Sequence, residues 1–244
     1  MHEIEGPLLF EWLSEHLGHG VIPRELLACW FVFAILLIMA GAALRRISLR
    51  PGGIQIFFEL VWEYIAKLCV QLGGEENKRL LPFYVTLFLF IMFSNWIGLI
   101  PGFASPTTNV SVNAALALIV AFSTEFLGIR QKGLGGYLKH FCGPPYWLFP
   151  IFVVIRGLEV FTRPLSLTMR LFGNMLAKEI ILGVLVYMAT LFFFSSDIIA
   201  KTLLPVPILL RPAIILLGVL VGLVQALVFT ALSMSYIGSA FEKH

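Results

Sequence analysis

Arg170 is the residue whose presence most needs a chemical reason. It lies near the middle of an apolar stretch, 147–194, that also holds Arg156, Glu159, Arg163, Asn174, Lys178 and Glu179. A charge at the centre of a bilayer costs ~2.5–3.5 kcal/mol even on lenient insertion scales, so it is retained where it pairs, reaches water with a long side chain, or acts. Arg156 and Glu159 lie near one end, and reaching out to water accounts for them and for part of Arg163. It does not account for Arg170.

The spacing of these residues carries more information. Arg156, Arg163 and Arg170 are seven apart, and Asn174 and Lys178 follow in steps of four. At ~100° per helical residue all five fall within about 80° of one another. Glu179 comes nine residues after Arg170 and points to the opposite side. The helix therefore shows a cationic and polar stripe to one neighbour and a carboxyl to another. A helix buried wholly in its own bundle has no use for two unlike polar faces.

Other candidates are weaker. In the last apolar run Gln225 is the lone amide, and a hydrogen bond to a neighbouring helix explains it as well as a functional role does. Gly218, Gly222 and Ala226 form a small-residue ridge that permits close helix approach. His16 and His19 beside Glu15 resemble half a metal site, but that pattern on a short exposed segment is ordinarily solvated, and no metal or other cofactor is expected. Gly133, Gly135 and Gly136 follow no strand, so no phosphate cradle is implied. No nucleophilic triad can be assembled.

The elements that must position these residues follow from composition. The chain has 244 residues, 59% hydrophobic and only 13% charged, where a soluble domain carries about 25% charged residues. It lacks the polar groups to cover a water-facing surface, which excludes a soluble enzyme. The net charge of +3 gives no sign of nucleic acid. Cys29, Cys69 and Cys142 lie far apart in apolar surroundings and read as small core residues. The first 15 residues are acidic and many apolar runs follow, so no cleaved presequence is expected.

About 20 helical residues cross a hydrocarbon core of ~30 Å. Membrane helices are expected at 26–45, 80–100, 110–128, 147–194 and 205–241, with 1–25 as an outer segment of one polytopic membrane domain. The charge-free run 80–124 is too long for one helix and is broken by Pro101-Gly102 and by Ser105 to Asn109. Glu125 follows it, a charge near the end of a span. The uncharged 212–241 exceeds a bilayer's thickness and must tilt or protrude. The stretch 54–72 differs in kind. Gln55, Glu59, Glu63, Lys67 and Gln71 recur every four residues opposite Ile54, Phe57, Phe58, Val61, Ile65, Leu68 and Leu72, which marks an amphipathic helix lying in the inner interface. Arg45, Arg46, Arg50, Lys67, Lys78, Arg79, Arg130, Lys132 and Lys139 alternate to one side, while 101–109 carries no basic residue. The N-terminus is thus expected outside and the C-terminus inside, with position 107 reachable from outside and 132 from inside.

Residues 163–174 read Arg-Pro-Leu-Ser-Leu-Thr-Met-Arg-Leu-Phe-Gly-Asn, which resembles the signature of subunit a of F-type ATP synthases. The likeness extends to Asn-Trp-Ile-Gly-Leu-Ile-Pro-Gly at 95–102, Ser-Pro-Thr-Thr-Asn at 105–109 and Gly-Leu-Val-Gln-Ala at 222–226, and covers about 20–241. It implies an all-α integral membrane protein with five membrane helices and one interfacial helix, the last two long helices lying obliquely against a rotating c-ring. It implies a non-catalytic stator that moves protons through two half-channels, with the c-ring, the subunit b peripheral stalk and the lipid bilayer as partners. An N-terminus unlike a transit peptide favours the inner membrane of a bacterium over an organelle.

Carried over by position, Arg170 would be the essential stator arginine, and Asn174 and Gln225 would line the same interface. Glu179 and Asn109 would belong to the outer access path. Two departures stand out. Lys178 is found beside the acid where the family often has a small or polar residue. Gly218 occupies a position where some members carry a His or an acid facing the Glu179 position. The implied physics is that a rotor carboxyl is neutral against lipid and ionised against the stator. An arginine, which keeps its proton at any accessible pH, attracts the ionised form and blocks direct passage between the half-channels. A sodium-coupled version remains open, since the ion's ligands lie mainly on the rotor. A secondary transporter would need inverted repeats, which are not visible, and a simple membrane anchor would not need Arg170.

Overall fold

A computed structural model describes residues 24–45, 52–100, 103, 105–142, 149–195 and 197–241. Among the described residues seven α-helices follow in order: α1 (Arg24–Arg45), α2 (Gly53–Gly73), α3 (Leu81–Ile97), α4 (Val110–Cys142), α5 (Phe149–Phe194), α6 (Ile198–Leu203) and α7 (Pro205–Phe241). Short 3₁₀ turns at Glu75–Leu80 and Pro106–Thr108 lead into α3 and α4, and the described residues contain no strand. Among the described residues five helical segments are long and apolar enough to cross a membrane: Glu25–Ala43, Glu75–Ile97, Val110–Gln131, Gly157–Phe194 and Lys201–Ser239. The expected outer segment 1–25, the histidines in it, and Arg46 and Arg50 lie almost wholly outside the described residues.

The centre of the bundle is α3. It is apolar on nearly all sides, as a mostly enclosed helix must be, and buries Tyr84, Leu87, Phe88, Ile91, Met92 and Asn95. It starts with Pro82 in the first turn, where a missing N–H is no loss. α7 lies along it, and α4 packs on α5. The Tyr84 hydroxyl donates to Asn77 Oδ1 (2.7 Å), and Asn77 Nδ2 donates to the Met234 carbonyl (3.1 Å), tying the first 3₁₀ turn to α7 inside the core.

The ridge on α7 works as its residue types demand. A Cβ on Gly222 would press on Asn95 and Trp96, and one on Gly218 would collide with Leu99 and press on Lys178, while Ala226 is fully buried. The approach is close enough that Asn95 Nδ2 donates to the Gly222 carbonyl (3.1 Å) and Trp96 Nε1 to the Val219 carbonyl (3.0 Å).

α5 runs 46 residues and α7 runs 37. At 1.5 Å per residue both exceed a ~30 Å core and must tilt or protrude. α4 runs past the expected end at 128 and is interrupted at Gly133, whose φ of 69° is favourable for glycine alone. The glycine-rich run is therefore a helix break in a basic segment.

On α2, Phe57, Phe58, Val61, Ile65, Leu68 and the buried Cys69 pack on the core. Ile54 and Leu72, which belong to the same apolar set, are exposed together with Ile56, Leu60, Trp62 and Tyr64. Two pairs form along the polar stripe: Gln55 donates to Glu59 (2.8 Å), and Lys67 donates to Glu63 (2.7 Å), holding the Glu63 carboxyl below its usual range.

Candidate functional site

Arg170 sits on α5 with its side chain exposed. Among the described residues it makes no hydrogen bond and no ion pair. One turn further, Asn174 Nδ2 donates to Gln225 Oε1 across 2.6 Å, joining α5 to α7. Gln225 is only 4% exposed, and its Nε2 is buried without a hydrogen-bond partner. Around this polar line the outward surfaces of α5 and α7 are apolar. Leu165, Met169 and Leu176 are exposed on α5, as are Leu216, Leu217, Leu220, Leu223 and Val224 on α7. An apolar surface of that extent on two adjacent helices, with the Arg170 guanidinium near mid-helix on α5, suits lipid or another membrane protein.

Lys178 does not share this exposed line. The helical spacing groups it with Arg170, but the structure turns it inward, 8% exposed, with Nζ donating to the Asn95 carbonyl (3.1 Å). Its methylene chain lies over Gly218, where any side chain would displace it. The physical reason is its place at the edge of the stripe, where α5 meets α3 and α7 and where a glycine leaves a notch of the right depth.

Asn95 is the hub of a buried network that the spacing argument does not reach. Its Oδ1 accepts from the Thr107 hydroxyl (2.9 Å), which lies 2.7 Å from the Ser105 hydroxyl. Ser105 Oγ donates to the Ser94 carbonyl (2.7 Å), and Asn113 Nδ2 to the Thr107 carbonyl (2.7 Å). Thr107 is fully buried, so position 107 is a poor reporter of the outer loop. The signal for this cluster is present in the sequence, as a run of small polar residues in the uncharged 101–113 region, but polarity alone does not reveal which helix it faces.

Asn109 has a local task. Its Oδ1 accepts the Ser111 backbone N–H (2.8 Å), which caps the start of α4. Glu179 is exposed, roughly opposite the exposed Arg170–Asn174 line in helical phase. A second polar group lies beyond Arg170 in the other direction along α5. Arg163 pairs with Glu159 (3.1 Å), and its guanidinium stands 5.2 Å from the Tyr236 ring centroid, in cation–π range.

The sequence matches the family model described as ATP synthase A chain over residues 26–238, most of the chain. It belongs to that family. It is 41% identical to ATP synthase subunit a 1 of Syntrophotalea carbinolica, over 97% of this chain and 98% of that protein. It is 39% identical to ATP synthase subunit a of Trichlorobacter lovleyi (98% and 99%) and 36% identical to that of Syntrophobacter fumaroxidans (96% and 95%). With its long apolar helices, this member of the family is a non-catalytic membrane subunit, whose chemistry concerns charge and ion movement. An exposed, unpaired guanidinium amid apolar surface can attract a mobile carboxylate, and an amide pair beside it can orient that carboxylate by hydrogen bonds.

Proposed function

We propose that this chain is the proton-translocating stator subunit of an F-type ATP synthase. Its two half-channels lead to a rotor carboxyl, and Arg170 couples proton flow to rotation. What carries the reading is Arg170 itself: a permanently charged side chain, exposed and without a partner among the described residues near the middle of a long apolar helix, needs an anion from a partner in the same membrane. A ring of c-subunits bearing mid-membrane carboxyls supplies one anion after another. Asn174 and Gln225 flank the contact, and Glu179 with Asn109 and Lys178 belong to the outer access path. The subunit b peripheral stalk holds the chain against the pull of the ring.

The same reading places the N-terminus outside and the C-terminus inside the inner membrane of a bacterium, from the distribution of Lys and Arg. It also lays α2 along the inner interface, with Trp62 and Tyr64 toward lipid. Cysteines at the exposed positions Val110 and Arg130 test the orientation with an impermeant reagent. Reaction of both from one side of the membrane would refute it.

The mechanism is tested by Arg170→Ala in inverted vesicles. ATP-driven proton pumping and ATP synthesis are expected to vanish in a complex that still assembles, while passive leak persists or rises because the electrostatic block is gone. Normal pumping by the assembled variant would overturn the reading.

A further inference from the structure

Seven residues before Arg170, a small cavity of about 10 Å³ opens between α4, α5 and α7. That is room for about one water molecule. Glu125 and Thr124 line it from α4, Arg163 and Pro164 from α5, and Tyr236 from α7. Arg163 already has a carboxylate partner in Glu159 and lies over the Tyr236 ring. Glu125 is therefore not needed to neutralise it. Among the described residues Glu125 makes no hydrogen bond and no close ion pair, although the Arg163 charge is near enough to act on it. A half-buried carboxyl inside a membrane-spanning helix, beside a cavity with several polar groups, is the arrangement that holds a water and exchanges a proton with it.

Its place along α5 adds direction. The Asn95–Lys178 network lies on one side of Arg170, and the Glu125 cavity lies two turns away on the other. Glu125 is near the basic end of its span, beside Arg130, which the charge distribution places inward.

We propose that the cavity between α4, α5 and α7 is part of the inner proton path, with Glu125 as its proton-exchanging group. The proposal rests on the stator reading above. In the synthesis direction a protonated rotor carboxyl gives its proton to water entering this path. The proton crosses to the Glu125 carboxylate, and Glu125 releases it to water on the inner face. One proton enters and one leaves, and Glu125 returns to its carboxylate form. Arg163 keeps a second cation from lodging beside it.

The experiment compares Glu125→Gln, Glu125→Asp, the double variant Glu125→Gln/Arg163→Gln and Arg170→Ala in inverted vesicles. It measures ATP-driven pumping, passive proton flux after removal of the catalytic head, and co-purification with the c-ring. Glu125→Gln should cut passive flux and pumping at least about tenfold, toward the roughly 100-fold cost of losing a positioned acid–base group. Glu125→Asp should restore most of it, and the double variant should not. Normal flux in Glu125→Gln overturns the proposal, and recovery in the double variant overturns it too, by reducing Glu125 to a counter-charge. If Arg170→Ala pumps normally, the stator reading itself fails, whatever Glu125 does. Should Glu125→Gln not assemble, Ala121→Cys in a chain without other cysteines decides. A small thiol reagent from the inner face should then block passive flux, and reaction only from the outer face, or no block on reaction, refutes the inner path.

Discussion

Arg170 and Lys178 sit eight residues apart on one helix and carry the same formal charge, yet the fold treats them oppositely. Lys178 is turned into the bundle, its chain laid over Gly218 and its ammonium on the Asn95 carbonyl. Arg170 is left on the outside with no partner among the described residues. A compact ammonium on a flexible stem can be satisfied by one well-placed carbonyl inside a protein. A guanidinium, with five donors in a rigid fork, has more hydrogen bonds to make than the described structure gives it. The contrast separates a cation that organises its own subunit from one that awaits another.

The largest effect that would sharpen this contrast is on Arg170. Arg170→Lys keeps the formal charge but not the fork, and a desolvated ammonium sheds its proton where arginine does not. Pumping is expected to fall nearly to the level of Arg170→Ala. Near-normal pumping in inverted vesicles would mean that any cation suffices there.

Next in size is Glu179→Gln, which should slow proton flux while leaving ATP hydrolysis by the catalytic head intact. Unchanged flux would shift the outer path to the Lys178–Asn95 network. For Lys178→Met the expected loss is mainly of stability. The substitution keeps an apolar chain over Gly218 but removes a charged hydrogen bond, at a cost of about 1.5–3 kcal/mol. Thermal dissociation of the assembled complex should come at lower temperature, with flux reduced less than in Glu179→Gln. A flux loss as deep as that of Arg170→Ala would erase the distinction between the two cations.

The smallest effect concerns Cys69, fully buried on the inner side of α2, where burial pushes its thiol above the usual range. In the folded protein it should react with a neutral-pH thiol reagent far more slowly than after detergent denaturation, read by mass spectrometry. Rapid reaction would mean that α2 leaves the bundle.

How much of this was legible beforehand varies with the kind of information needed. The membrane helices were, because charge-free runs of bilayer length leave few alternatives. The extension of α4 to Cys142 and the short α6 were not, since both lie in segments where charge returns and length no longer discriminates. Helical phase put Lys178 on one face with Arg170 and Asn174, whereas the structure turns it inward, because a phase angle names a direction and not the neighbour found there. Asn109 read as part of an access path, and its visible work is to cap a helix. The Asn95 network escaped spacing altogether, being assembled from four helices and a turn whose contacts are set by tertiary packing.

The side-chain hydrogen bonds that reach the backbone of α7 have a mechanical consequence. Trp96, Asn95 and Asn77 grip the carbonyls of Val219, Gly222 and Met234, points spread over about 22 Å at 1.5 Å per residue. A helix held at one point can rock about it. One clamped at three heights, twice by α3 and once by the 3₁₀ turn that leads into it, behaves as a beam fixed along its length, and a sideways drag on its free face is carried into both as shear. Such a support stays still while something slides past it.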